Sequence, residues 1–346
     1  HWAGRVLRVP VALNIRAMSL PPFSVRLLLP AVLLVVLTPR AEAQRLATLT
    51  VPLNGAVPEQ GVPVSVELTL PVLPTDAALG LSEVRGSERE PVPMQMTAGT
   101  TARIHWLVEP WAGGPVSRVY ELARVPGRSG TVAPEMNLAD TGEVLTLRAG
   151  EQELLGYHHA VQAPPDGVDA AFARSGFIHP LRTPHGQVLT RIQPPDHFHH
   201  FGLWAPWTHV LFEGREVDFW NIGDRKGTVR FARFADTATG PVFAEYRAEQ
   251  EHIVLLPEGG EKTALHEVQT VRVYRLLAAD SYLLDLTIGL RCAGDSPVRL
   301  LEYRYGGLGW RTTAEWNKTN SEVLTSEGRS RRDADGSTAR WCLVQG

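Results

Sequence analysis

Alternation of apolar and polar side chains recurs along most of this chain, and it limits the fold more than any other feature. In the run Val62 to Leu70, valine or leucine occupies every second position, with proline, serine, glutamate and threonine between them. A period of two is the pattern of a β-strand with one buried face. Such runs follow one another with short turns, and no helical segments alternate with them. The sequence therefore predicts an all-β fold and excludes a doubly wound α/β fold.

The β pattern divides into two parts, which predict two domains. Residues 44–140 contain short runs separated by proline and glycine, as in a small β-sandwich. Residues 141–346 contain longer runs, from which we expect a large antiparallel β-sandwich. The turn-rich segment 126–142 predicts the boundary between the two. The small domain is expected to serve packing or spacing, with carbohydrate binding as the alternative.

Residues 1–43 are predicted to be an upstream segment followed by an export signal. Residues 1–17 precede the first methionine, Met18, and are expected not to be native. An arginine, the apolar run 27–37 and the small-residue sequence Ala41-Glu42-Ala43 then follow, as in a cleaved secretory signal. A transmembrane anchor is the alternative, but the apolar run is well short of the roughly 20 residues that a bilayer needs. We expect a periplasmic or secreted protein without a later membrane span.

Composition excludes several partners and cofactors. The formal net charge of -3 provides no basic field for nucleic acid. No glycine-rich fingerprint predicts a nucleotide cofactor. The two cysteines, Cys292 and Cys342, lie in strand-like runs and are predicted to be two buried thiols or one disulfide. Their wide separation excludes a cysteine-based metal centre.

The stretch from Ser175 to Asn221 stands out from this regular pattern. It contains six of the twelve histidines, namely His179, His185, His197, His199, His200 and His209. Its densest part is the pentapeptide 196–200, Asp-His-Phe-His-His. A core requires apolar residues at a regular period, and this composition does not provide them. The stretch therefore predicts a functional site.

Two chemistries fit these histidines. His197 and His199 share one face of an extended segment, and a turn at Gly202 could bring His200 to them. Neutral imidazoles bind zinc, copper and iron, so the three could hold one divalent metal ion. Without a metal, histidines and a carboxylate could act as general acid and base. We predict as catalytic residues His179, His199, His200 and Glu302. Each histidine could instead hold a loop by hydrogen bonds.

A second polar and aromatic cluster follows more than a hundred residues later, in the segment EYRYGGLGWR. Tryptophan and tyrosine stack on the apolar faces of sugar rings, and arginine clamps carboxylates or hydroxyls. The two clusters are predicted to form one small-molecule or glycan site. Its predicted substrate-binding residues are Arg182, Arg191, Asp196, Trp204, Trp220, Tyr303, Arg304 and Arg311.

The motifs from Tyr157 to Gly346, YHH, SGFIHPLRTPHGQVLTR, PPDHFHHFGLWAPWTHVLFEGREVDFWN and EYRYGGLGWR, resemble a bacterial domain-of-unknown-function family. That family is labelled "methane oxygenase PmoA" or PmoA-like. The resemblance implies an exported, mostly β protein with a supersandwich similar to that of the mutarotases. It also implies that the domain continues beyond Gly346, so we expect a C-terminal truncation that removes one edge of the fold.

Three functions remain open from the sequence. The leading hypothesis is an exported carbohydrate-active enzyme, a hydrolase, lyase or epimerase that acts on a sugar derivative. The second is a metal-dependent oxygenase, as the family label implies. The third is a non-catalytic glycan-binding protein. The reaction, the substrate, the metal and the oligomeric state do not follow from the sequence.

Overall fold

The structure is a computed structural model, which describes residues 11–14, 44–68, 78–98, 102–125 and 135–346. Apart from one short strand, the predicted upstream segment and export signal lie outside the described residues. The strands before residue 130 are β1 (Val11–Asn14), β2 (Gln44–Leu53), β3 (Val62–Leu68), β4 (Ala78–Arg85), β5 (Glu88–Val92), β6 (Met94–Thr97), β7 (Ala102–Val108) and β8 (Val116–Val125).

The remaining strands belong to the second half of the chain. They are β9 (Met136–Asp140), β10 (Val144–Ala149), β11 (Gln152–His158), β12 (Phe177–Leu181), β13 (Leu203–Trp204), β14 (Val210–Phe212), β15 (Arg215–Val217), β16 (Gly227–Ala238), β17 (Phe243–Leu255), β18 (Glu261–Tyr274), β19 (Leu283–Cys292), β20 (Val298–Leu300), β21 (Gly309–Trp310), β22 (Glu322–Thr325) and β23 (Cys342–Gln345). Two single-turn 3₁₀ helices span Ala170–Phe172 and Ile222–Asp224. Within the described ranges, no helix has the length and apolarity needed to cross a bilayer.

The first half folds into a small sandwich. A four-stranded sheet in the order β2-β8-β4-β5 faces a three-stranded sheet in the order β3-β7-β6. Ile104, Trp106 and Val108 of β7 pack against Tyr120 and Leu122 of β8, and all five are buried. This core follows from the period-two pattern, because alternate residues of each strand point between the sheets.

The second half folds into a large antiparallel sandwich, so the predicted fold class is confirmed. A five-stranded sheet has the order β1-β19-β18-β17-β16, and a six-stranded sheet has the order β21-β13-β12-β11-β10-β9. Leu147 and Ile178 of the six-stranded sheet pack in one core with Tyr246, Val271 and Leu284 of the other. The strands β14, β15 and β20 form a separate small sheet, and β22 pairs with β23.

The boundary between the sandwiches comes earlier than predicted. The strand β9 pairs with β10 along its whole length, with Leu138 opposite Leu147. Residues 136–140, which the sequence assigned to the small domain, are therefore the edge strand of the six-stranded sheet. Glycine and proline in the segment 126–142 obscured the short strand between them.

The prediction of two buried or paired cysteines is wrong. Both Cys292 and Cys342 are unpaired, exposed thiols. Tyr282, just before β19, and Leu284 and Leu286 within it are buried. Burial decreases along the strand, so that Leu290 is half-buried and Cys292 at its last position is exposed.

A buried polar cluster lies between the two large sheets. The carboxylate of Glu267 accepts hydrogen bonds from Gln250 Nε2 at 3.2 Å and from His252 Nε2 at 2.7 Å. Arg174 is also buried, and neither its Nε nor its Nη1 has a hydrogen-bond partner. Burial lowers the pKa of Arg174 to about 10, and the charge of Glu267 opposes this shift. Arg174 therefore stays cationic at neutral pH, with Glu267 as its counter-charge.

Several side chains join the small sandwich to the large one. Gln95 of β6 accepts hydrogen bonds from the backbone N–H groups of Val242 and Phe243, at 3.2 and 3.0 Å. Its Nε2 donates to the carbonyl of Thr239. The ring of His105 packs edge-on against Phe243, with 5.1 Å between ring centroids, and Leu107 packs in the same cluster. Both N–H groups that Gln95 binds are buried, so this glutamine contributes to the junction.

Candidate functional site

The candidate site lies on the outer face of the six-stranded sheet. Ile178 and Leu203 are paired across β12 and β13 and point into the core. Because successive side chains of a strand alternate, Phe177, His179 and Trp204 point to the opposite face. The loops that carry the histidine cluster cover this face.

A tight turn brings together the three histidines of the segment 196–200. The backbone N–H of His197 donates to Pro194, and that of His200 donates to His197. The ring centroids of His197 and His200 lie 4.6 Å apart in a parallel stack. The ring of His199 meets that of His200 edge-on, also at 4.6 Å. The three rings are therefore close together, but through a turn within residues 194–200 and not through the turn at Gly202 that the sequence predicted.

Asp196 and Arg311 bind this cluster together. Arg311 Nη2 donates to both oxygens of Asp196, at 2.8 and 2.6 Å, and its Nη1 donates to His200 Nδ1 at 3.3 Å. His197 Nδ1 donates to the same carboxylate at 2.9 Å. Since Nδ1 of His200 accepts and Nδ1 of His197 donates, the two rings are opposite tautomers. His200 then carries its proton on Nε2, and His197 has a free lone pair there.

Burial keeps the inner histidines neutral. It lowers the pKa of His200 to about 3, with the nearby His199, His197 and Arg311 adding to the shift. Burial also lowers the pKa of His179 to about 4, and it lowers that of His199. The Arg311 guanidinium, followed by His197, holds the pKa of Asp196 well below its usual range. At neutral pH His179, His199 and His200 are therefore neutral imidazoles beside the ion pair of Asp196 and Arg311.

These shifts predict a pH dependence with a definite sign. Because His179 and His200 bind protons less tightly when folded, stability is complete above about pH 6.5 and decreases as the pH falls toward 4. We expect their ring resonances, in a protein with labelled histidines, not to titrate between about pH 7.5 and 5. The urea-unfolded protein is the control, since its histidines titrate near 6.5. A midpoint for His200 above about 5.5 would contradict the assignment.

A cavity of about 320 Å³ opens beside the cluster, lined by Phe172, His199, Asn221, Gly223 and Asp224. Asp218 shapes its wall, because its carboxylate accepts from the backbone N–H groups of Trp220 and Asn221 and from the Asn221 side chain. The cavity lies at the lower end of the range of about 300–1,000 Å³ for small-molecule sites. The cavity, which is large enough for a small ligand, is therefore lined by the imidazole of His199 and the carboxylate of Asp224.

An aromatic wall extends from the cluster toward the surface. Trp204 lies 5.2 Å from the ring of His200 and 4.8 Å from that of Trp220. Tyr305 follows at 5.2 Å from Trp220. A Cβ on Gly309 would come within 2.7 Å of the Trp220 ring and 3.0 Å of the Trp204 ring, so only glycine allows both indoles to lie flat on this strand. Trp204 and Trp220 are 1 % and 7 % exposed and do not line the cavity, so they pack behind the cluster instead of contacting a substrate as predicted.

Several predicted site residues lie apart from the cavity. Glu302 is exposed, and its backbone carbonyl, not its carboxylate, contacts His209. Tyr303 packs against His209 and Tyr305, and Arg304 lies over the Tyr305 ring. These side chains continue the aromatic wall outward.

Other predicted residues support the loops. Arg182 Nη1 donates to the carbonyl of Gly186, and His179 Nδ1 shares a 2.9 Å hydrogen bond with Thr190. Arg191 pairs through its backbone with Arg311, while its Nε is buried without a partner. Arg191 is therefore a cation with unused hydrogen-bonding capacity beside the Asp196–Arg311 pair.

The geometry does not favour a metal ion held by His197, His199 and His200. Two of the rings stack face to face, and His200 Nδ1 already accepts from a guanidinium. Nitrogens in this arrangement do not point at a common centre, as the ligands of a tetrahedral site must. In the described part of the chain, no group of three or more His, Cys, Asp or Glu side chains is arranged to hold a metal.

Sequence reasoning missed Asn221 and Asp224 as cavity residues, and it missed the pairing of His197 with Asp196. Asp224 lies only three residues beyond the predicted stretch, in the run Asp-Phe-Trp-Asn-Ile-Gly-Asp. A second aspartate just after an aromatic turn was the available signal. The hydrogen bond between His197 and Asp196 was not predicted, because neighbouring side chains in a strand point to opposite faces. The observed turn brings the two side chains into contact.

Comparisons with known proteins add a family and no activity. Neither the curated proteins nor the solved structures provided a match to this chain. A family model does match residues 144–346, more than half of the chain. Its description assigns no activity and does not mention PmoA. The chain belongs to this family, which is described as a family of unknown function (DUF6807).

Proposed function

We propose that the chain is an exported enzyme that acts on a sugar derivative at the cavity beside the histidine cluster. The observation that carries this proposal is that His199 and Asp224 line one cavity of about 320 Å³. An imidazole and a carboxylate at one ligand are a sufficient set for general acid–base chemistry. The ring of Phe172, which also lines the cavity, supports a sugar, because a sugar ring has apolar faces and polar edges.

Proton abstraction fits this cavity better than hydrolysis of a glycosidic bond. Glycoside hydrolysis generally uses two carboxyl groups on opposite sides of the bond. Among the residues that line the cavity, Asp224 is the one carboxylate. The nearby Asp218 uses both oxygens to hold Trp220 and Asn221. We therefore favour a lyase or an epimerase, in which His199 or Asp224 removes a proton next to an acidifying group.

Arg191 supports an acidic substituent on the substrate. Its buried Nε has no partner, and burial together with the neighbouring Arg311 lowers the pKa of Arg191. Arg191 does not line the cavity, so a carboxylate would have to extend from the sugar toward the Arg191 guanidinium to compensate its charge. The proposed substrate class is therefore a sugar acid or an oligosaccharide that contains one.

The test is turnover on a panel of uronic-acid-containing and neutral oligosaccharides. We expect Asp224→Asn and His199→Gln to lower kcat about 10²–10⁴-fold, the usual contribution of a positioned acid or base. His185→Gln is the matched control, because His185 bonds to Asp280 away from the cavity, and it should retain full activity. Full activity of Asp224→Asn would refute the proposal. Binding without turnover of any panel member would favour the non-catalytic glycan-binding protein.

The PmoA-like resemblance supports a second candidate, a metal-dependent oxygenase. The favourable observation is three imidazoles with ring centroids within 5.5 Å of one another. Their stacking does not fit one ion, so we derive no reaction step through a metal. Metal analysis of the purified protein decides between the candidates. Stoichiometric iron or copper that is lost in His197→Ala would support the oxygenase.

Export remains part of the proposal. The leader pattern of residues 18–43 supports it, because cleavage after Ala43 would leave Gln44 at the N-terminus. Gln44 is also the first residue of β2, so the mature chain would begin with a strand of the small sandwich and would lack β1 beside β19. Mass measurement of the protein recovered from the periplasm or medium would identify this terminus.

A further inference from the structure

We propose that the small sandwich carries a second ligand site, for a neutral sugar ring, in a cavity built around Trp111. The cavity has a volume of about 520 Å³, and its lining includes Glu83, Arg85, Glu109, Trp111 and Arg118. All of these residues belong to the small sandwich and its loops. The proposal is therefore independent of the function proposed for the cavity at His199.

Trp111 combines exposure with a fixed position. Its side chain is 41 % exposed, although the surrounding structure holds it on several sides. Its backbone exchanges two hydrogen bonds with Val57, at 2.8 and 3.1 Å, and its Nε1 donates to the carbonyl of Gly114 at 3.1 Å. The loop passes so close that a Cβ on Gly113 would lie 2.5 Å from the indole. A rigid aromatic surface loses little side-chain entropy when a ligand covers it.

The charges of the cavity balance one another, which identifies the class of ligand. Glu83 accepts from Arg85 Nη2 at 2.7 Å and from Arg118 Nη1 at 2.9 Å. Arg85 also lies 3.6 Å from Glu109. Two guanidinium groups and two carboxylates thus compensate in pairs, so that the wall selects neither a cation nor an anion.

Hydrogen-bonding capacity remains after this pairing, because guanidinium and carboxylate groups each have several sites. Arg118 lies over the Trp111 ring, 5.6 Å from its centroid, so the part of the indole that remains exposed is what meets weakly positive C–H groups. A ring with hydroxyl groups on its edge and C–H groups on its face satisfies both parts of the wall. A neutral pyranose has this chemistry.

The test is affinity electrophoresis of the full chain through gels that contain hydroxyethylcellulose, xylan or galactomannan, with polygalacturonate as the acidic counterpart. We expect at least one neutral polymer to retard the wild type. Trp111→Ala should weaken this interaction at least tenfold, as expected for a central tryptophan, and Trp111→Phe should restore most of it. Trp341→Ala is the matched control, since Trp341 is 54 % exposed and lies outside the cavity.

Four outcomes would overturn the proposal. They are no retardation by any neutral polymer, equal retardation of the wild type and Trp111→Ala, an equal loss in Trp341→Ala, and retardation that depends on Asp224 but not on Trp111. The last outcome would place the binding in the cavity at His199 and would leave the function proposed there intact. Retardation that persists in Asp224→Asn, while turnover is lost, supports two separate sites.

Discussion

Replacement of Glu267 by alanine is expected to lower the unfolding free energy by about 3–5 kcal/mol, because it removes a charge that compensates buried Arg174 and the acceptor of two buried side chains. The variant leaves Arg174 as a buried cation without its counter-charge. It also leaves Gln250 and His252 without their acceptor. Urea unfolding followed by the fluorescence of the large sandwich measures the effect as a lower transition midpoint.

Glu261 provides the control for this experiment, because it lies on the same strand and pairs with Arg230 at the surface. Glu261→Ala should leave the midpoint nearly unchanged, since solvent screens exposed pairs. The double variant Arg174→Met/Glu267→Leu should recover much of the lost stability, because it removes both charges together. A single-variant effect as small as that of Glu261→Ala would show that the cluster contributes little.

Replacement of Gly202 by alanine is expected to disrupt the histidine cluster. Gly202 has a φ of +52°, and a Cβ there would lie 2.1 Å from the carbonyl oxygen of Ile178. This carbonyl belongs to the backbone in the middle of a sheet, so it cannot move away as the end of a flexible side chain could. The carbonyl of Gly202 also accepts from Arg311, and a displaced backbone would shift that arginine from Asp196. We expect a cost of about 1–3 kcal/mol from overpacking, in addition to backbone strain.

A substitution at Gly186 separates the cost of the steric clash from the cost of the backbone strain. Gly186 also has a positive φ, +84°, but no atom lies within 4 Å of the position of its Cβ. Gly186→Ala should therefore show the backbone strain alone, about 1–2 kcal/mol. Thermal unfolding of both variants, together with the histidine resonances of the cluster, measures the difference. Equal destabilisation of the two variants would mean that the clash at Ile178 relaxes freely.

The strands were predictable because their signal is local. The alternation in β3 places its valine and leucine side chains on one face whatever the rest of the chain does. The histidine-rich stretch was predictable for the opposite reason, since its composition fits no regular element. Local patterns therefore located both the framework and the position of the site.

The remaining features depend on contacts between distant residues, which no local pattern encodes. Glu302 has the chemistry of a catalytic acid, but the path of the segment after β20 leaves it exposed. Arg311 reaches Asp196 because β21 joins the sheet beside β13. Pairing order and the course of the connecting segments decide these outcomes, and both are properties of the whole sandwich.

The contact made by Gln95 fixes the separation of the two proposed sites. Rotation of the small sandwich would remove Gln95 as the acceptor of the buried N–H groups of Val242 and Phe243. Each orphaned group would cost about 1–3 kcal/mol, which opposes hinge motion at this junction. A polymer that touches both Trp111 and the cavity at His199 would then meet two anchors at a constant spacing. Binding at both sites would then favour polymers long enough to span that spacing, in addition to those with the right sugar rings.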